Sequence, residues 1–193
     1  LATDDLLLGM GPDSQTLSLS GLQELPPSVA RGLGTHRGTL VLDGLEKLSD
    51  ASAEELGNHF GALALNSLRR LSPRAAQGLA YGGGAWPEYL GLEGGLELDG
   101  LESISPESAR ALATHQGSLS LNGLKTLTPE VAEALAGFRP LNQYDALILD
   151  GVRRLSPEAA RGLAPIRARI RFGRLTTISP LLAEALAETH CQL

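Results

Sequence analysis

The chain has 193 residues, 42% of them apolar but only 4% aromatic, and 16 Lys and Arg against 22 Asp and Glu leave a net charge of −6. This is ample for one elongated domain with a core of leucine and alanine. No apolar run is long enough to span a bilayer, so membrane insertion is not expected, and the single cysteine, Cys191, excludes an internal disulfide.

Residues 1–16 come first, and they read as a partial repeat or an N-terminal cap. Counted in register with the seven full units after them, Thr3 takes a helix N-cap place, Asp4 and Asp5 a first helical turn, and Met10 a core leucine position. The first full unit is LSLSGLQELPPSVARGL from Leu17, followed by LVLDGLEKLSDASAEEL from Leu40 and LALNSLRRLSPRAAQGL from Leu63. LELDGLESISPESARAL begins at Leu96, LSLNGLKTLTPEVAEAL at Leu119, LILDGVRRLSPEAARGL at Leu147 and IRFGRLTTISPLLAEAL at Ile170. The starts lie 23, 23, 33, 23, 28 and 23 residues apart. The basic period is therefore 23, with ten residues added in the third unit and five in the fifth, and a fixed period of this length is the signature of a solenoid.

Each unit carries the same instructions. Apolar residues at positions one and three alternate with variable ones, which is strand periodicity. Position ten is Ser or Thr in six units, usually followed by Pro, and this pair starts a helix by capping its first N–H groups and presetting its first φ angle. The helix is short, two to three turns. Alanine at position fourteen and leucine at position seventeen lie three apart on its buried stripe. One such unit cannot bury its own apolar face, whereas stacked units can, with parallel strands about 4.8 Å apart. A doubly wound domain needs crossover helices of a dozen or more residues. These units leave no room for them.

The stretches LSLNGL, LELDGL and LILDGV, each followed by a helix of the form SPExA…L, resemble the leucine-rich repeat family over Leu17 to Gln192. The chain looks closest to its 23-residue bacterial variants, some of which are surface proteins implicated in adhesion. The resemblance implies an α/β fold: a right-handed leucine-rich-repeat solenoid of seven coils, with parallel strands on the concave face and short helices on the convex face. Residues 17–193 would form that solenoid, continuous with residues 1–16. The family's inward asparagine is replaced here by Leu22, Leu45, Leu68, Leu101, Leu124, Val152 and Leu175, and the phenylalanine that usually follows the helix alanine is missing. Both ends fall partway through a unit, so the chain reads as a piece of a longer bacterial protein, with contacts to flanking repeats; a shortened native cap is the other reading. As an excerpt, the last unit should expose Ile170, Phe172 and Leu186, or bury them against another molecule.

No pattern of chemistry-bearing residues points to an enzyme. His36, His59 and His115 share position twenty, at the helix end, where an imidazole interacts favourably with terminal carbonyls. No third ligand recurs beside them, so neither metal nor other cofactor is expected. Position four reads Ser20, Asp43, Asn66, Asp99, Asn122, Asp150, Gly173, alternating carboxylate and amide. Two readings stand for this column: a structural hydrogen-bonded ladder, or a weak strip for cations or polar ligands. The run Gly82-Gly83-Gly84 lacks the Lys-Ser/Thr of a phosphate loop.

The features left over suggest binding. Every Trp and Tyr lies in or beside the two insertions: Tyr81, Trp86 and Tyr89 in the first, Tyr144 in the second beside Phe138. Such residues anchor interfaces because they bury large area with few torsions, although loops that fold back to seal the helices would use them equally. From Arg153 to Arg174 there are seven arginines and one acid, against nineteen acids and nine bases in residues 1–152. Arg153, Arg154 and Arg171 therefore stand as candidate contacts for an acidic protein, with plain solvation or contact with flanking sequence as alternatives. Nucleic acid is not expected, because the arginines fall on different faces and have no interleaved aromatics. The sequence is thus read as a protein-binding module, with a purely structural spacer as the alternative.

Overall fold

The computed structural model describes residues 15–81, 94–140 and 143–187. Strands and helices alternate: β1 (Thr16–Ser18), α1 (Pro27–Leu33), β2 (Thr39–Val41), α2 (Asp50–Leu56), β3 (Leu63–Ala64), α3 (Pro73–Tyr81), β4 (Gly95–Glu97), α4 (Pro106–Leu112) and β5 (Ser118–Ser120). A two-residue strand β6 (Thr126–Leu127) precedes α5 (Pro129–Leu135) and β7 (Ala146–Ile148). A second one, β8 (Arg154–Leu155), precedes α6 (Pro157–Leu163), β9 (Arg169–Arg171) and α7 (Pro180–Ala187).

The seven principal strands form one parallel sheet in the order β1-β2-β3-β4-β5-β7-β9, so each unit pairs with its neighbours in the chain. Position one faces position one throughout: Leu17 opposite Leu40, Leu40 opposite Leu63, Leu63 opposite Leu96, Leu96 opposite Leu119, Leu119 opposite Leu147, and Leu147 opposite Ile170. The longer third and fifth units leave this register unchanged. Strands β6 and β8 make a separate parallel pair, which the sequence patterns did not announce.

The core lies between the sheet and the row of helices. Positions one and three of the middle units are buried there, as are Leu45, Leu68, Leu101, Leu124 and Val152 at position six, where the leucine-rich repeat pattern has asparagine. An apolar column thus fills that place. Ala30, Ala53, Ala76, Ala109, Ala132 and Ala160 are fully covered at position fourteen, where a methyl group lets each helix lie close against the next unit. Successive helices pack side by side, α1 on α2 through α6 on α7.

Helix starts agree with the expected chemistry. Ser49, Ser105, Thr128 and Ser156 are N-caps whose side chains accept from the backbone N–H three residues on. Pro26 holds the same place before α1 without a side-chain bond. Two helix serines reach across units: Ser52 Oγ donates to the Leu25 carbonyl at 2.6 Å, and Ser108 Oγ to that of Leu71 at 3.1 Å. Glycine at position five marks where units touch most closely. A Cβ on Gly44 would lie 2.3 Å from the Ser20 carbonyl oxygen, and one on Gly151 would lie 1.8 Å from that of Asn122.

The last unit differs from its expectation. Ile170 and Leu186 are buried, because Ile170 points between sheet and helices and α7 covers its own unit; Phe172 is half-buried. The large exposed apolar residues there are Ile178 and Leu181, and Ala183, at position fourteen, is exposed as well. Among the described residues no helix is long and apolar enough to cross a membrane.

Candidate functional site

Three places gather the candidate residues, one where chain enters the sheet and two where it leaves. The first is the corner between each helix and the following strand. Position twenty is the hinge of that corner: the backbone N–H of His36, His59, His115, Phe138 and Ile166 each donates to the carbonyl of the leucine at position seventeen, at 2.8–3.0 Å. Side chains at this position turn inward. His59, His115, Phe138 and Ile166 are buried, and Phe138 is 0% exposed. The expected role of Phe138 in partner contact is therefore corrected. It fills the slot that the first, second and fourth units fill with histidine, and its closeness to the second insertion is incidental.

The histidines also bond differently from expectation. His36 Nε2 lies 3.2 Å from the Gln15 carbonyl, and His59 Nε2 lies 3.1 and 3.3 Å from those of Gly38 and Ala62. These carbonyls belong to strand entrances and not to the helix C-terminus. Since a carbonyl only accepts, both imidazoles carry their proton on Nε2. The two rings stack with centroids 5.9 Å apart. Burial pushes the His59 imidazole below its ordinary range, with the backbone bonds only partly opposing it. Gly38 and Gly61, next to this corner, have φ of 118° and 130°, a conformation in which any side chain is strained.

Around this corner the tyrosines point outward. Tyr81, at the end of α3, is 84% exposed, and Tyr144, just before β7, is 70% exposed. Trp86 and Tyr89 lie outside the described residues. Tyr81 borders an open groove of about 310 Å³ whose other walls are Glu54, Asn58, Arg74 and Gln77. Its floor is glycine: a Cβ on Gly57 would lie 2.1 Å from the Gly78 carbonyl oxygen, so α2 and α3 meet there backbone to backbone. An ion pair between Arg74 Nε and Glu54 Oε1, at 2.8 Å, forms part of the wall.

The second place is the position-four column. Each side-chain oxygen accepts the backbone N–H of the same position one unit on: Asn66 N–H to Asp43 Oδ1 at 2.9 Å, Asp99 N–H to Asn66 Oδ1 at 3.2 Å, Asn122 N–H to Asp99 Oδ1 at 3.0 Å, and Asp150 N–H to Asn122 Oδ1 at 2.8 Å. Asn122 Nδ2 donates in addition to Asp99 Oδ2, at 3.0 Å. Side-chain bonding was legible from the alternation of Asp and Asn. Its principal partner, the neighbouring backbone, was not. Of the two readings for this column, the geometry favours the ladder, because it satisfies backbone groups at a strand end. The column closes with Arg171, whose Nε and Nη2 both donate to Asp150 Oδ2, at 2.9 and 2.5 Å. Arg171 is thus committed within the chain.

The third place lies past position four on the same exit side, opposite the corners. There the Arg153 N–H donates to the Lys125 carbonyl at 3.2 Å, and Thr126 pairs with Arg154 in the short ladder. Lys125, Arg153 and Arg154 are all exposed, and the three ion pairs among the described residues involve none of them. The sheet thus separates Arg153 and Arg154 from Tyr81 and Tyr144. Nearby, Glu107, Glu130 and Glu158 in the first helical turns are held below the ordinary carboxylate range, first by their own backbone N–H and then by the capping hydroxyl. Among the described residues no three His, Cys, Asp or Glu side chains come together as a metal site.

No protein-family model matches the chain, and no curated protein matches it.

Proposed function

We propose that this protein is a non-catalytic protein–protein interaction module, built as a right-handed leucine-rich-repeat solenoid with its strands on the concave face. One observation carries the reading: Tyr81 stands 84% exposed beside a glycine-floored groove, at the corner where the 23-residue period is interrupted. A large amphipathic ring next to a recess, on a frame fixed by a continuous sheet, is the geometry of an interface anchor. Tyr144 adds a second exposed ring at the equivalent corner of a later unit. Arg153 and Arg154, outside the ion pairs of the described residues, supply a separate contact suited to acidic side chains, which act mainly on association rate.

The test is a purified partner, recovered from the native source and titrated against the wild type and a Tyr81→Ala/Tyr144→Ala variant. Loss of roughly 2 kcal/mol or more, about thirtyfold in affinity, is expected with the melting temperature unchanged. Equal affinity in both proteins would overturn the reading. A structural spacer is the second reading, and the position-four ladder favours it, because those polar groups are already bonded within the chain.

A further inference from the structure

We propose that His59 is an acid-sensitive latch: protonating it releases the corner that ties the second unit to its neighbours. The geometry sets this up. Nε2 already donates its proton to the carbonyls of Gly38 and Ala62, so the second proton must go to Nδ1. Nδ1 of His59 is buried and has no hydrogen-bond acceptor among the described residues. An imidazolium there would hold an unpaired N–H and a buried charge, which is costly unless a partner offsets it.

Of the neighbouring side chains His36 adds to the cost, while the Ala62, Gly38 and His36 backbone groups only partly oppose it. His36, from the preceding unit, stacks on the His59 ring at 5.9 Å and would repel it once charged. His115, from two units on, lines the same cavity of about 10 Å³, a space at the lower limit for one water. Arg37 is one residue further along the same corner, where it pairs with Phe60 through the backbone. Among the described residues no carboxylate acts on His59 to offset its charge. Packing does not require an imidazole here, since Phe138 and Ile166 fill the same position fully buried.

The sign comes from linkage. A histidine depressed in the folded state leaves stability intact above its unfolded value, about 6.5, and stability is lost as pH falls through the lower folded value. The depressed glutamates lose their contribution only below about 4.3, so the two windows are distinct. The inference does not depend on the corner binding a partner.

The full chain and a His59→Phe variant would be melted at pH 7.5 and pH 5. The wild type is expected to lose about 2–4 °C more than the variant over this interval. Hydrogen exchange should locate the loss: protection of the Gly38 and Leu40 amides, which bond to the Phe60 and Ala62 carbonyls, falls in the wild type alone. If the variant does not fold, imidazole titration by NMR in the wild type decides. His59 protonating below the ordinary range, with protection at Gly38 and Leu40 falling over the same interval, supports the latch. The same acid loss in both proteins, or protonation near 6.5 with protection unchanged, overturns it.

Discussion

The corner after α2 and the corner after α5 are built on the same backbone bond and enclose the same slot, yet one is closed by His59 and the other by Phe138. At the first, a polar ring links two strand-entrance carbonyls; at the second, an apolar ring simply fills space. The frame tolerates both because the position-twenty bond fixes the corner before the side chain is chosen. What the slot decides is how firmly the corner is held and under which conditions. In the Phe138 corner, the side chain contributes through burial alone and carries no titratable group. In the His59 corner, it depends on the imidazole staying neutral.

The comparison is broken most severely by emptying the apolar slot. Phe138→Ala removes a fully buried ring and should cost about 3–5 kcal/mol of unfolding free energy, measured by denaturant melting. A cost near 1 kcal/mol would mean that the backbone bond, and not the ring, holds that corner. A smaller loss is expected at the far end of the strand, where Asn122→Ala strips the acceptor from the Asp150 N–H and the donor from Asp99. Leaving a half-buried backbone group unsatisfied should cost roughly 1–3 kcal/mol. Smallest of all is Tyr81→Ala, which should move stability by no more than about 0.5 kcal/mol, because its ring packs on little. A larger loss would show that Tyr81 seals the helices, removing it from the binding edge.

Much of this was legible from residues alone. The seven strands, their parallel order and the Ser-Pro helix starts come from spacing, because strand alternation, capping and proline geometry are local effects. What escaped was non-local. Proximity in the chain groups Phe138 with the second insertion, although counting it into position twenty places it with His36, His59 and His115. The ladder partners of Asp43, Asn66, Asp99 and Asn122 lie one full unit away, where side-chain composition shows a polar column but not the N–H that it meets. The β6–β8 pair has no alternating pattern to announce it. In the last unit, Ile170 and Leu186 were expected at an open end, because a repeat count does not say how far a helix covers its own strand.

The constant pairing of position one with position one has a consequence for chain length. The sheet register is set within each strand, so residues added at a corner change neither Leu63 opposite Leu96 nor Leu119 opposite Leu147. A longer connection then costs only extra closure entropy, about 0.6 kcal/mol for each doubling of a flexible loop. Insertion at a corner is therefore almost free, whereas insertion inside a strand or helix would shift every column beyond it within that unit. The corners are where this architecture can acquire new sequence without renegotiating its core.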